Sequence, residues 1–205
     1  MIVIFARHGK TEENLKGIVT GTIPGTLSRL GIRQARENAM RLKDKKIDAI
    51  YSSRSKRAAD TAKIISKYHK GVPLRLTKAL MECHFGKLQG TMVGPKLEET
   101  FDTDYCRDKF RKQGAESVAS YYKRVREFMM MIQKRYPEKT VLLVAHSITF
   151  RFFAAVVMGR PVSYTQKIRS LENDELAVFD VRMNKGFSAR LIKSRSVLHT
   201  PIIKR

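Results

Sequence analysis

Two histidines in this sequence each follow directly on a run of apolar residues. His8 comes after "IVIFAR", and His146 comes after "TVLLVA". Such runs are typical of buried strands, and open α/β sheets bind ligands outside the carboxyl ends of their strands. A neutral imidazole there can act as a nucleophile. Either histidine alone could be a structural residue at a strand end, so it is their joint placement that indicates a shared site.

Two arginines accompany these histidines. Arg7 precedes His8, and Arg57 lies in the first turn of the helix that we predict from "SKRAADTAKIISKYHKG". Helix N-termini attract anions, and an arginine fork can hold phosphate oxygens. The alternative for Arg57 is a solvated arginine on a basic surface. The neighbouring histidines favour a site for an anion.

The charge of the chain also indicates an anionic partner. Its 205 residues include 41 Lys or Arg and 19 Asp or Glu, which gives a formal net charge of +22. The excess is spread along the chain, without a basic tail, zinc-finger spacing or arginine-rich arm. We therefore expect a small phosphorylated substrate rather than nucleic acid.

Cysteine usage and hydropathy predict the compartment. Cys83 and Cys106 form no C-x-x-C pair, and the chain does not start with a charged segment followed by a long apolar one. The apolar run "ITFRFFAAVVMG" is interrupted by Arg151 and is shorter than the roughly 20 residues of a membrane helix. We expect a reduced, cytoplasmic protein that does not span a membrane; a homodimer is left open.

The apolar periodicity predicts alternating strands and helices. The predicted strands are "MIVIFA", "IDAIYSS", "TVLLVAHS" and a hairpin of "ELAVFDVR" with "GFSARLIK"; the predicted helices are Ser28 to about Lys46, the segment that stops at Gly71, "ESVASYYKRVREFMMMIQKRYP", and a last one that ends at Met158. This order predicts an α/β fold, a three-layer α/β/α sandwich with a mostly parallel central sheet. We expect one domain over residues 1–205, with a lid-like excursion at about residues 83–115.

An ordered set of motifs resembles the histidine phosphatase superfamily, the phosphoglycerate mutase-like group. The motifs are "RHGKTEEN", "LSRLGIRQA", "IYSSRSKRAADTA", "MECHFGKLQG", "GAES" and "VLLVAHS", and they span about residues 2 to 158. The string R-H-G alone is weak, whereas the ordered set is specific. The resemblance implies a phosphoglycerate mutase-like fold and phosphoryl transfer through a phosphohistidine.

The resemblance implies a role for each matching residue. His8 would accept the phosphoryl group, Arg7 and Arg57 would clamp its oxygens, His146 would donate to them, and Glu82 would be the proton donor. Phosphoryl transfer spreads negative charge over the equatorial oxygens, so fixed cations suffice without a metal or other cofactor. We expect a neutral His8 and a protonated His146.

The same comparison implies the walls of the substrate pocket. They would include Asn14, Thr20, Gly21 and Ser147. Two positions depart from the family pattern: Lys10 replaces an acidic residue, and Ser147 replaces a glycine.

Two replacements and one short segment favour hydrolysis over isomerisation. Cys83 and Phe85 replace the arginine and tyrosine of the mutase block, and the segment after Gly90 is short and lacks the paired arginines of mutases. A mutase must exclude water from its phosphohistidine, so a reduced lid favours a phosphomonoesterase. The alternatives are a phosphoglycerate mutase primed by 2,3-bisphosphoglycerate and a non-catalytic basic module that binds phosphorylated ligands or nucleic acid.

Overall fold

The computed structural model describes residues 1–92, 105, 108–183 and 186–195. Its strands are β1 Ile2–Arg7, β2 Ala49–Ser53, β3 Leu74–Thr77, β4 Thr140–Ala145, β5 Leu176–Met183 and β6 Phe187–Arg195. Its α-helices are α1 Glu12–Lys16, α2 Arg29–Leu42, α3 Lys56–Ser66, α4 Val118–Arg135 and α5 Ser147–Val157. Short 3-10 segments cover Lys78–Leu80, Gly86–Leu88, Arg111–Gln113 and Val162–Lys167.

The described strands form one six-stranded sheet in the order β3-β2-β4-β1-β5-β6. The pairs β2–β3, β2–β4 and β1–β4 are parallel, while β5 and β6 form an antiparallel hairpin next to β1. Helices cover both faces of the sheet. The predicted three-layer sandwich with a mostly parallel sheet is therefore confirmed, and so is the hairpin, whose turn residues 184 and 185 lie outside the described residues.

Strand alternation divides the core into two layers. Val3 and Phe5 of β1 pack with α4 and α5, whereas Ile4 and Ala6 point to the opposite face and pack with α2 and α3. The adjacent β4 alternates in the same way, because successive side chains of a strand point to opposite faces. The central strands are buried on both faces, which explains their continuous apolar runs.

This arrangement opens a crevice at the carboxyl ends of β1 and β4. The two strands are parallel neighbours, but α2 follows β1 on one face and α5 follows β4 on the other face. Connections that depart in opposite directions leave a gap between adjacent strands. The residues that directly follow these strands, His8 and His146, therefore lie at the crevice.

Several elements differ from the sequence-based expectation. Helix α2 ends at Leu42 instead of Lys46, because Leu42 is its last buried residue and residues 43–46 are exposed. Helix α3 ends at Ser66, and Gly71 lies farther along with φ of 79°. The short α1 and β3 were not predicted, since four or five residues carry too little periodicity.

The predicted excursion at residues 83–115 is described only in part. Residues 93–104 and 106–107, Cys106 among them, lie outside the described residues. Phe85 and Ala115 form an isolated antiparallel bridge, so the two ends of the excursion meet. Among the helices that the structure describes, none is long and apolar enough to cross a membrane.

The loop that carries His8 packs backbone to backbone against the start of α2. A Cβ atom on Gly31 would lie 2.0 Å from the carbonyl oxygen of Lys10, and a Cβ atom on Gly9 would lie 2.2 Å from the carbonyl oxygen of Gly31. Contacts this short with backbone atoms cannot be relieved by a side-chain rotation. The two glycines therefore set the distance between α2 and the loop.

Gly31→Ala should destabilise the protein by about 1 to 3 kcal/mol, because the displaced backbone outweighs the roughly 1 kcal/mol that alanine gains in a helix. Urea unfolding measures this difference. Gly186→Ala is the control: a Cβ atom there meets nothing within 4 Å, and we expect a change of about 0.5 kcal/mol or less. Equal stability of both variants would contradict the close approach.

Candidate active site

His8 and His146 face each other in the crevice. Their ring centroids are 5.2 Å apart with an interplanar angle of 63°, and the side chains are 3% and 0% exposed. The His8 backbone N–H donates to the Ala145 carbonyl at 2.9 Å, which extends the pairing of β1 and β4 to the edge of the crevice. The joint placement that the sequence indicated is thus present.

Hydrogen bonds define the tautomer of the His8 ring. Its Nδ1 lies 2.9 Å from the carbonyl oxygen of Gly9, which can only accept. The hydrogen is therefore on Nδ1, and Nε2 accepts from Nε of Arg57 at 3.1 Å. Burial, followed by the charges of Arg57 and Arg7, holds the pKa of His8 well below its usual value. His8 is neutral and has its lone pair on Nε2, which is the form of a nucleophile.

Arg57 is held by backbone carbonyls of the loop before α2. It donates from Nη2 to Gly21 at 2.8 Å and from Nη1 to Ile23 at 2.9 Å. Burial lowers the pKa of Arg57 to about 10, and the nearby Glu82 opposes that shift. Arg57 is therefore still a cation at neutral pH. It lies in the first turn of α3, as predicted, and is 1% exposed rather than solvated.

Arg7 supplies a second buried cation at the end of β1. Its Nη1 donates to the Leu171 carbonyl oxygen at 3.1 Å, and the residue is 3% exposed. Backbone carbonyls of Leu171, Gly21 and Ile23 accept from the two guanidinium groups, and these hydrogen bonds add no opposing charge. The crevice is therefore suited to a phosphoryl dianion.

The environment of His146 favours a neutral ring, which differs from our expectation of a protonated one during phosphoryl transfer. Burial holds the pKa of His146 well below its usual value. Electrostatic interactions with Arg57, His8 and Arg7 lower it further. Its Nε2 lies 2.8 Å from the Ser53 hydroxyl, and its buried Nδ1 has no partner among the described residues. A phosphoryl dianion beside it would reverse the electrostatic effect and favour protonation.

Glu82 lies between the crevice and the N-terminus of α5. Its Oε2 accepts from the backbone N–H of Ile148 at 3.2 Å, and its Oε1 accepts from the backbone N–H of Cys83 at 3.1 Å. Burial raises the pKa of Glu82 above its usual value, although the charge of Arg57 and the hydrogen bonds oppose this. A buried carboxyl with a raised pKa can hold a proton near neutral pH and act as a general acid.

The four residues predicted to bind substrate make different contacts within the protein. Gly21 contacts Arg57 through its carbonyl, and Ser147 is the first residue of α5, 4% exposed. Thr20 precedes Gly21, and its carbonyl accepts from Ile23 at 2.9 Å. Asn14 uses its side-chain oxygen to cap α1, where it accepts from the Thr11 backbone N–H at 3.2 Å. That oxygen is thus already engaged within the protein.

Sequence reasoning missed three residues that support the site. Ser53 contacts His146 from the end of β2, and this position could have been found, because β2 ends at the same sheet edge. Thr61 accepts from the Gly9 N–H at 3.1 Å and donates to the Arg57 carbonyl at 2.8 Å. The Asn173 amide donates to the His8 carbonyl at 2.6 Å, and no motif marks its loop.

Within the described ranges, no group of three or more His, Cys, Asp or Glu side chains could hold a metal ion. His84, which follows Glu82 and Cys83, accepts from the Gly86 N–H at 3.0 Å and is exposed. The chain's own arginines and histidines are the groups that line the crevice.

Known proteins resemble this chain over most of its length. It is 31% identical over 166 residues to phosphoserine phosphatase 1 of Hydrogenobacter thermophilus, covering 78% of each chain. It is 42% identical over 133 residues to the 2,3-bisphosphoglycerate-dependent phosphoglycerate mutase of Thermoplasma acidophilum, covering 58% of this chain and 65% of that one.

The fold is shared with a solved structure. A mycobacterial glucosyl-3-phosphoglycerate phosphatase in complex with VO3 superposes with a TM-score of 0.79 and 24% identity, covering 94% of this chain and 97% of that one. At this identity the likeness concerns the fold alone. The family model of the histidine phosphatase superfamily (branch 1) matches residues 3–193. The sequence-based prediction of the family and of a phosphomonoesterase is confirmed: the chain belongs to the histidine phosphatase superfamily.

Proposed function

We propose that the protein hydrolyses a small phosphomonoester through a phosphohistidine on Nε2 of His8. The observation that carries this proposal is the His8 ring, held neutral with its hydrogen on Nδ1 and its Nε2 lone pair facing Arg57. An arriving phosphoryl group would take over the donors of Arg57 and leave Nε2 free to attack. The arginines and the Nδ1 of His146 would hold the phosphoryl oxygens.

The first half-reaction transfers the phosphoryl group to the protein. Nε2 of His8 attacks phosphorus, the P–O bond to the leaving group breaks, and the leaving oxygen takes the proton of Glu82. The carbonyl of Gly9 stabilises the positive charge that develops on the ring, because it accepts from Nδ1. In the second half-reaction Glu82 takes a proton from water, the water oxygen attacks phosphorus, and the N–P bond breaks. The sum is an ester and water giving an alcohol and phosphate.

The replacements in the mutase block support hydrolysis over isomerisation. Phe85 is 4% exposed and packs edge-on against Tyr105 at 5.4 Å, and Cys83 is fully buried. These side chains pack into the core, so they add no polar group to the pocket. The relative named a phosphoserine phosphatase makes phosphoserine the first substrate to test. The match to the Thermoplasma acidophilum protein keeps the mutase as the second candidate.

We further propose that the chain works as one domain, without a metal, in the cytoplasm. Strands from residue 2 to residue 195 share one sheet, which supports the single domain. The buried cations of the crevice make a metal unnecessary for charge stabilisation, and the buried free thiol of Cys83 fits a reducing compartment.

Wild-type protein should release phosphate from p-nitrophenyl phosphate without added metal and in the presence of EDTA. His8→Ala should lower kcat by at least about 10⁴-fold, because the variant lacks the Nε2 lone pair that faces Arg57 and is proposed to attack phosphorus. Acid-labile, base-stable labelling of the wild type by a ³²P-labelled substrate, absent from His8→Ala, checks the intermediate. Strict metal dependence, or labelling of His8→Ala, would contradict the mechanism.

Glu82→Gln keeps the shape of the side chain but removes the proton. We expect kcat/KM for phenyl phosphate to fall by about 10² to 10⁴-fold and that for p-nitrophenyl phosphate to fall much less, because a good leaving group needs no proton. The slope of log kcat/KM against leaving-group pKa measures the difference. An equal loss on both esters would show that Glu82 is not the acid.

Incubation with 3-phosphoglycerate and 2,3-bisphosphoglycerate separates hydrolysis from isomerisation. We expect phosphate release to exceed formation of 2-phosphoglycerate, because the proposed mechanism passes the phosphoryl group from His8 to water. Phosphorus NMR follows both products in one sample. Rapid isomerisation without phosphate release would establish the mutase instead.

A further inference from the structure

The donors around the Glu82 carboxyl group are unevenly divided between its two oxygens. Oε1 accepts from the Tyr121 hydroxyl at 3.0 Å and from the Cys83 N–H at 3.1 Å, and the Thr149 hydroxyl lies 3.4 Å away. Oε2 accepts from the Ile148 N–H at 3.2 Å. A protonated carboxyl group carries its hydrogen on one oxygen only. The donor-rich Oε1 is the less favourable place for it.

Two fully buried hydroxyl groups form a chain that ends on Oε1. The hydroxyl oxygens of Tyr121 and Thr149 are 2.7 Å apart. Each has a single hydrogen, so the shorter contacts assign the direction: Thr149 donates to Tyr121, and Tyr121 donates to Glu82. The alternative acceptor for Tyr121 is the Met81 carbonyl at 3.1 Å. Successive hydrogen bonds of one direction polarise and strengthen each other.

We propose that Tyr121 is a positioning residue that keeps Oε1 of Glu82 as an acceptor, so that Oε2 carries the proton exchanged with the leaving group. The inference rests on the proposed function, in which Glu82 is the acid and base. The step it concerns is a proton transfer: the Oε2–H bond breaks as the new O–H bond of the alcohol forms. Tyr121 donates a hydrogen bond throughout and transfers no proton itself.

Charged and titratable groups from several elements interact electrostatically with the Glu82 carboxyl group. They are Arg57 on α3, Tyr121 and Arg124 on α4, Tyr105, and the neighbouring Cys83. Burial raises the pKa of Glu82, whereas Arg57 and the donated hydrogen bonds lower it. Burial and the charge of Glu82 hold the pKa of Tyr121 well above its usual value, so its hydroxyl stays protonated.

The ring of Tyr121 is fixed independently of its hydroxyl. It packs edge-on against Phe152 with centroids 4.7 Å apart, and the Arg124 guanidinium lies 4.2 Å from its centroid. Arg124 in turn pairs with Glu116 at 2.9 Å. Removal of the hydroxyl therefore leaves the ring in place. Tyr121→Phe tests the hydrogen bond rather than the packing.

Tyr121→Phe should raise the pKa of Glu82 by about one unit, because the ionised carboxylate loses a donor. NMR titration of protein with ¹³C-labelled glutamate side chains, assigned by Glu82→Gln, measures this pKa without turnover. The pH profile of kcat for phenyl phosphate should move upward by the same amount, with KM changed less than about twofold. Thr149→Val should shift both readouts in the same direction by less, and Thr149→Ser should restore them.

Tyr122→Phe is the matched control. The adjacent Tyr122 hydroxyl donates to the Arg160 carbonyl at 2.6 Å, away from Glu82, and its loss should leave both readouts unchanged.

An unchanged Glu82 pKa in both Tyr121→Phe and Thr149→Val would overturn the inference, while a leaving-group effect of Glu82→Gln would still uphold the proposed function. A shifted pKa with an unchanged pH–rate profile would also overturn it. Absence of the leaving-group effect would remove Glu82 as the acid, and the inference with it.

Discussion

The burial of two guanidinium cations beside two neutral histidines is the constraint on which the rest of this structure depends. Charges removed from water are costly unless polar groups surround them. Here much of that role falls to backbone carbonyls: Leu171 for Arg7, and Gly21 and Ile23 for Arg57. Carbonyls are neutral, so these hydrogen bonds orient the cations without adding an opposing charge.

The same charges determine the chemistry of the imidazoles. A histidine in water is partly protonated near neutral pH, and a protonated ring cannot attack phosphorus. Burial and the adjacent cations remove that proton from His8, and the Gly9 carbonyl determines which nitrogen keeps the remaining one. Glu82 experiences the opposite effect of burial, which favours its protonated form. Burial in one crevice thus lowers the pKa of the imidazole and raises that of the carboxyl group, as the proposed roles of nucleophile and acid require.

The topology explains why these groups meet. Parallel β1 and β4 end at the same edge, and their following helices depart to opposite faces, so the crevice lies between two strand ends. The segment that carries Leu171 and Asn173 closes one side of it, and the loop at Gly21 and Ile23 closes another. Backbone contacts between Gly9 and Gly31 hold the histidine loop against α2. Close backbone packing therefore helps to position the His8 loop.

Much of this could be predicted from the residues. The apolar runs before His8 and His146 placed both strands, and Ser28 and Ser117 are the N-caps of α2 and α4, within about two residues of the predicted helix starts. Periodicity and capping act over one helix or strand, so one sequence is enough to read them. The ordered motifs likewise identified Arg57 and Glu82, although their roles in this chain are proposals. The helix ends were less accurate, because exposed residues after Leu42 keep helical propensity without a face to bury.

The sequence by itself determined which elements form and which residue types end at the sheet edge. Only the tertiary structure decided the tautomer of His8, the neutrality of His146, and the contacts of Tyr121 and Asn173. Their partners are distant in the chain: Tyr121 lies 39 residues from Glu82, Ser53 lies 93 from His146, and Asn173 lies 165 from His8. Protonation states follow from burial and from the distance to charges, and both quantities exist only after the chain has folded.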